Sequence, residues 1–250
     1  MRRVSVVVLA GVLAVALAGC SGTSGGSQSG GVVVGGESDQ GAQQVVSAAT
    51  PDEMIAAMQS DCNDTAQRLY DSQADLFATV GDTFEGYNAN IDAVKQWYAS
   101  TVSETEALGE RMLENSKVYF QAVVDTVAPD DREALSDAID TYYDAIYDDA
   151  YGDYYDAVYS DLYHDIYERF YSGVISDAFD TEEYSKVSEA MSGECENYSD
   201  SMSGVYNAIS DARSEIYDVG SDAWSAFYDN EFTLENIFRE PVVNVEKTEG

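Results

Sequence analysis

The sequence is short of the residues on which most catalytic and metal chemistry depends. His164 is the single histidine in 250 residues. A Ser-His-Asp or Cys-His arrangement would have to be built around it, and no nucleophile signature accompanies it. Gly22-Thr23-Ser24-Gly25-Gly26 formally matches a nucleophile elbow but has no strand or helix pattern beside it. The three cysteines make no paired zinc spacing, and no phosphate-cradling glycine loop opens a helix after a strand. These absences argue against an enzyme and predict no cofactor. Positive charge is equally scarce: 12 Lys and Arg stand against 47 Asp and Glu, for a net charge of -35. Without basic residues to release counterions, the chain has no means of holding a phosphate backbone, so nucleic acid is excluded as a partner.

What the chain has in excess is tyrosine, 19 residues of it. Acidic disordered chains are usually poor in aromatics, so this composition argues for a folded domain. The first part of the chain is a different matter. Met1, Arg2 and Arg3 precede an apolar run from Val4 to Ala18, too short for a membrane span and flanked like a secretory signal. The run ends in Leu17-Ala18-Gly19-Cys20, which resembles the lipobox of bacterial lipoproteins. The resemblance covers residues 1–20 only. It implies that the signal, residues 1–19, is cut just before Cys20, and that Cys20 carries lipid on its sulfur and often on its new amino group. The protein would then be extracytoplasmic and held on the cell membrane, since two acyl chains at about 0.8 kcal/mol per buried methylene suffice for stable attachment. Residues 20–49, rich in Gly, Ser and Gln, cannot bury enough apolar surface to offset chain entropy and read as a disordered tether.

Residues 50–229 read as the folded, acidic, tyrosine-rich domain. Thr50-Pro51-Asp52-Glu53 is a helix start with a capping box. Ile55, Met58, Cys62, Thr65, Leu69, Leu76 and Val80 follow at amphipathic spacing, Gly81 and Gly86 mark a break, and a second periodic segment runs from Ile91 to Val123. Pro129 separates this from a third segment, and Asp180 to Glu183 cap a fourth carrying Met202, Val205, Ile209, Ala212, Ile216, Val219, Ala223 and Phe227. With only three prolines and no strand alternation, the expected fold is all-α, an elongated bundle of about four helices or long helical hairpins behind the tether. Residues 230–250 read as a short helix and a polar tail.

The third segment carries tyrosine at every fourth position: Tyr143, Tyr147, Tyr151, Tyr155, Tyr159, Tyr163, Tyr167 and Tyr171, most preceded by an apolar residue. They form a candidate interaction surface, because tyrosine gives large contact area at low entropy cost. Four residues advance an ideal helix by about 400°, so the series should spiral by about 40° per step. The first and last tyrosines would then serve different neighbours, unless the helix breaks or overwinds near Gly152 or Gly173.

Two further groups merit naming. Asp161, His164, Asp165 and Glu168 lie three and four apart, so on a helix they could share a divalent ion, although acids this dense produce such clusters by chance. Cys62 and Cys195 are the cysteines left after Cys20, and outside the cytoplasm they could pair. Straight helices would offset them axially by roughly 25 Å, against about 5.5 Å for bridged alpha carbons, unless Gly193 breaks the last helix. The composite expectation is a membrane-anchored, non-catalytic helical lipoprotein acting as an interaction or spacer module for a protein partner in the cell envelope. The alternative is an ion- or solute-binding lipoprotein serving a transporter.

Overall fold

Local chemistry places the helix ends. The computed structural model describes residues 50–128 and 130–229; the expected signal with Cys20, the tether and the 230–250 tail lie outside them. At the start of α1 (Pro51–Val80), the Thr50 hydroxyl accepts from the Glu53 amide at 3.3 Å and the Thr50 amide donates to the Glu53 carboxylate at 2.8 Å. This is the reciprocal capping box that the sequence predicts. Gly81 ends the helix at φ +71°, a left-handed conformation that favours glycine. The short α2 (Phe84–Ala89) begins on a Thr83 cap, and α3 (Ile91–Thr126) begins at Asn90. The expected break therefore falls at Gly81 and again at Asn90, while Gly86 lies inside α2. Asp131 caps the next helical run by accepting from the Ala134 amide at 3.1 Å. That run, residues 132–177, is called the tyrosine helix here, and a helix of 46 residues, Tyr184–Asp229, follows.

The described residues form an all-α bundle of four long helical stretches with α2 as a short fifth helix. Hydrogen bonds between elements fix its topology. Gln59 bonds to Ala145, Tyr70 to Ala157 and Gln73 to Leu162, a nearly constant sequence offset that makes α1 and the tyrosine helix parallel neighbours. The Ser201–Tyr98 bond and the close approach of Gly109 to Ala212 do the same for α3 and the 184–229 helix. The pairs α1–α3 and tyrosine helix–184–229 helix are antiparallel, as the Asp61–Arg111, Ser72–Trp97, Asp148–Arg213 and Tyr163–Ser201 contacts require. Consecutive helices thus alternate in direction, yet α3 and the tyrosine helix face one another across the core, meeting through rings such as Tyr119, Phe120 and Tyr142.

The tyrosine helix does not spiral. Three π-helical segments, Tyr143–Ala150, Asp156–Leu162 and Tyr167–Ile175, alternate with the α segments Arg132–Tyr142, Tyr151–Tyr155 and Tyr163–Ile166. A π turn closes on the fifth residue rather than the fourth, so it is wider than an α turn. Mixing the two brings the average to four residues per turn. Tyr142, Ile146, Ala150, Tyr154, Val158, Leu162, Ile166, Phe170 and Val174 are consequently all buried, one at every fourth position along a single face. The expected spiral is thus overturned, and the exception named for it, a break or overwinding near Gly152 or Gly173, is corrected in sign: the helix is underwound, and its backbone stays right-handed helical at every α/π junction. Burial decides the contest. Each large side chain such as Leu162, Ile166 or Phe170 contributes about 1.5–3 kcal/mol when buried, whereas a backbone hydrogen bond nets about 0.5–1.5 kcal/mol even if lost altogether.

α1 supports the underwinding. The Gln59, Tyr70 and Gln73 side chains donate to the Ala145, Ala157 and Leu162 carbonyls at 3.5, 3.0 and 2.8 Å. All three carbonyls belong to π segments. A side chain that supplies a donor to a carbonyl at a widened turn relieves the poorer pairing there. In the third π segment the Ser176 hydroxyl does this, donating to the Tyr171 carbonyl at 2.8 Å.

The cysteine pair does not form a bridge. Both thiols are free, Cys62 buried and Cys195 exposed. The 184–229 helix runs unbroken through Gly193. Cys62 is level with Met112 of α3, their sulfurs 3.8 Å apart, and the parallel offset of 103 between α3 and the 184–229 helix puts Cys195 level with residue 92. Twenty residues of α3 separate those levels, or about 30 Å along the axis at 1.5 Å per residue. Among the described residues no helix is long and apolar enough to cross a membrane.

Candidate functional site

With four residues per turn, the eight tyrosines all lie beside the buried stripe, and their exposure repeats with a period of three tyrosines. Tyr151 and Tyr163 are fully buried, whereas Tyr143, Tyr147, Tyr155, Tyr159, Tyr167 and Tyr171 are half-buried, in three pairs twelve residues apart. The 184–229 helix lays one more tyrosine against each pair. Tyr217 packs on Tyr143 and Tyr147 at centroid distances of 5.5 and 5.9 Å. Tyr206 packs on Tyr159 at 5.8 Å, and Tyr159 stacks on Tyr155 at 4.9 Å. Tyr198 packs on Tyr167 at 5.3 Å, and Tyr167 stacks on Tyr171 at 4.9 Å. The result is three tyrosine triads along one groove between antiparallel helices.

Hollows of about 340, 290 and 300 Å³ open along this groove, beside Tyr147, Tyr159 and Tyr143 respectively, with serines of the 184–229 helix completing their walls. A further hollow of about 230 Å³ continues the groove past Trp224 and Tyr228. Gly220 makes room for one ring: a Cβ there would lie 2.6 Å from the Tyr143 hydroxyl. That hydroxyl donates to the Tyr217 carbonyl at 3.1 Å, and burial is the first cause pushing its pKa up to about 12, ahead of Tyr217 and Asp218. In the first triad the Arg213 guanidinium sits 4.3 Å over the Tyr147 ring, with a nitrogen 3.4 Å from Asp148. Chemically the groove offers ring faces, serine and tyrosine hydroxyls, and carboxylates on its rim.

A second polar group lies inside the core at the same end of the bundle as Tyr198. Glu194 is 1% exposed, and its two oxygens each accept a phenol hydroxyl at 2.6 Å, from Tyr87 of α2 and Tyr98 of α3. No ion pair reaches it among the described residues. Burial raises its pKa above the ordinary glutamate value, and the two phenol hydrogen bonds act in the opposite direction without cancelling it. Burial and the Glu194 charge push both phenols up as well. The network continues: Ser201 donates to the Tyr98 carbonyl at 3.0 Å, which leaves the Tyr163 hydroxyl to donate to Ser201. This cluster ties α2, α3, the tyrosine helix and the 184–229 helix together. Its members are all buried, and their hydrogen bonds hold these helices in register.

Family models, curated proteins and solved structures contain no match to this chain. The geometry alone therefore carries the functional argument.

Asp161, His164, Asp165 and Glu168 are all exposed, and no group of three or more His, Cys, Asp or Glu able to hold a metal ion occurs among the described residues. Of the eight sequence-predicted tyrosines, six line the groove and two are core. Sequence reasoning missed their partners Tyr198, Tyr206 and Tyr217, and also Trp224 and Tyr228. Their signal is a set of aromatics at helical spacing just off the buried stripe of the 184–229 helix. It missed Glu194 too, an acid that interrupts the run of small and apolar stripe residues Val187, Ala190 and Val205.

Proposed function

We propose that this protein is a membrane-anchored, non-catalytic lipoprotein of the cell envelope, and that its groove of tyrosine triads is the face by which it recognises a protein partner. The groove carries the reading. A monomer with so acidic a surface has no folding need to leave Tyr206, Tyr217, Trp224 and Tyr228 exposed along one line, whereas tyrosine and tryptophan at a polar surface are what recognition faces concentrate. Lipid on Cys20 supplies the anchor, and residues 20–49 the tether. Among the described residues no group of His, Cys, Asp or Glu able to hold a metal ion lines the groove, which favours binding over metal-assisted catalysis.

The test is made in the native cell. A photo-crosslinking residue placed at Tyr206 or Tyr217 should yield a discrete crosslinked product, and the same residue at Asp75, exposed on α1, should not. Labelled palmitate should enter the wild-type chain and not Cys20→Ser. Equal crosslinking from both faces would remove the groove as the recognition surface, and unlabelled wild-type chain would remove the anchor.

A further inference from the structure

The three triads share a spacing but differ in ring packing and in what fills them: Tyr143 and Tyr147 meet edge to face at 6.2 Å, whereas the paired rings of the other two stack at 4.9 Å. In the first, Arg213 occupies the ring face of Tyr147 and reaches Asp148 on the rim. The other cation–ring contact among the described residues, Arg169 on Phe77, lies on the α1 side of the bundle, where Arg169 also pairs with Asp82. Among the described residues, no basic side chain lies over the triads Tyr155/Tyr159/Tyr206 and Tyr167/Tyr171/Tyr198. Each has an exposed acid directly following its first tyrosine, Asp156 in one and Glu168 in the other, as Asp144 follows Tyr143; at the place of Asp148, after the second tyrosine, they carry Ser160 and Ser172. On the 184–229 helix, Met202 stands four residues before Tyr206 as Arg213 stands four before Tyr217, so the second triad presents a neutral, half-buried side chain where the first supplies its own cation.

We infer that the groove binds an extended polypeptide segment bearing arginine or lysine, with its cations seated on the second and third triads as Arg213 is seated on the first. This rests on the groove being the recognition face. Charge complementarity favours this occupant: a chain of net charge -35 attracts a cationic segment over long range, and ring faces backed by carboxylates then hold a guanidinium in place. The triads repeat every twelve residues of the tyrosine helix. At no more than 1.5 Å per residue that is at most about 18 Å, or five to six residues of an extended peptide. The preferred ligand therefore carries arginines five or six positions apart.

The test is calorimetric titration of the full chain with a synthetic 16-residue Gly/Ser peptide carrying arginines at five-residue intervals. Controls are the same peptide with Glu for Arg, one with its arginines adjacent, and chitohexaose as a neutral ring-stacking probe. The spaced arginine peptide should bind, and more weakly as salt is added. Tyr206→Leu combined with Tyr171→Leu should lower its affinity about tenfold, while the Phe versions, which keep the ring faces, should lower it less than twofold. Because Tyr206 is exposed, Tyr206→Leu alone reports on the groove even if the double variant folds poorly. Arg213→Ala, which empties the first triad, should raise affinity about threefold. Arginine binding that is indifferent to both the Tyr→Leu changes and Arg213→Ala would show only general attraction to an acidic surface and would overturn the inference. Binding of chitohexaose without binding of the arginine peptide would also overturn it, and would leave the groove standing as a recognition face.

Discussion

Replacing Glu194 by glutamine should change how stability depends on pH more than it changes stability at any one pH. The carboxyl is 1% exposed, accepts two phenol hydrogen bonds at 2.6 Å, and has a pKa raised by burial. A group whose folded pKa is raised favours the protonated state in the fold. Its contribution is fully present below the ordinary glutamate value of about 4.5, and is lost as pH rises through the raised folded value. Wild type should therefore gain stability relative to Glu194→Gln as pH falls through the raised folded pKa toward about 4.5. The other acids titrate in both proteins and cancel in the difference. The phenols sharpen the test. Where the Glu194 carboxyl is ionised, Tyr98→Phe removes a hydrogen bond to a charged group, about 1.5–3 kcal/mol, whereas in the Glu194→Gln background it removes a neutral one, about 0.5–1.5 kcal/mol. A double-mutant cycle by urea unfolding at fixed ionic strength should thus show a coupling of about 1–2 kcal/mol above the raised folded pKa that shrinks as pH falls through it. Parallel pH profiles for wild type and Glu194→Gln, or a Tyr98→Phe cost equal in both backgrounds, would refute the assignment.

Other consequences are simpler to check. The Tyr151 hydroxyl is buried without a hydrogen-bond partner among the described residues, while that of Tyr142 donates to the Ile216 carbonyl at 2.8 Å. Tyr151→Phe should accordingly stabilise by about 1 kcal/mol and Tyr142→Phe destabilise by about as much, read as opposite shifts in urea midpoint. Cys195 should react with a maleimide in the folded protein. Cys62, 3% exposed and with a thiol pushed up to about 12 by burial, should label only on unfolding. A net charge of -35 predicts that thermal stability rises with added salt, and a melting temperature indifferent to salt would mean that the acids are locally compensated.

Much of the helix layout was legible because it depends on neighbours in sequence. The Thr50 capping box, the stop at Gly81 and the stripe from Val205 to Phe227 follow from spacing alone, and the structure places each as expected. The winding of the tyrosine helix was not legible in the same way. A period of four fits neither the α nor the π turn, and choosing between a spiral and an underwound helix requires knowing that Gln59, Tyr70 and Gln73 of a distant helix meet its carbonyls. The site was half visible for a related reason. Tyr143 to Tyr171 announce themselves by repetition, but Tyr198, Tyr206 and Tyr217 become their partners only through the antiparallel pairing of two helices. Glu194 looked like one acid among many until α2 and α3 brought two phenols to it.

A helix that turns once every four residues is commensurate with its own sequence repeat, and that changes how it can grow. An ordinary α-helix returns to the same azimuth only after seven or eleven residues, and approximately even then. In the tyrosine helix, four residues added or removed would leave the buried stripe in azimuthal phase, and twelve would add or remove one pair of half-buried tyrosines. Duplication or deletion can thus lengthen or shorten the stripe in discrete steps without turning it away from the core, while each triad still needs a tyrosine from the 184–229 helix. The eight-fold run from Tyr143 to Tyr171 has the form such a history would leave.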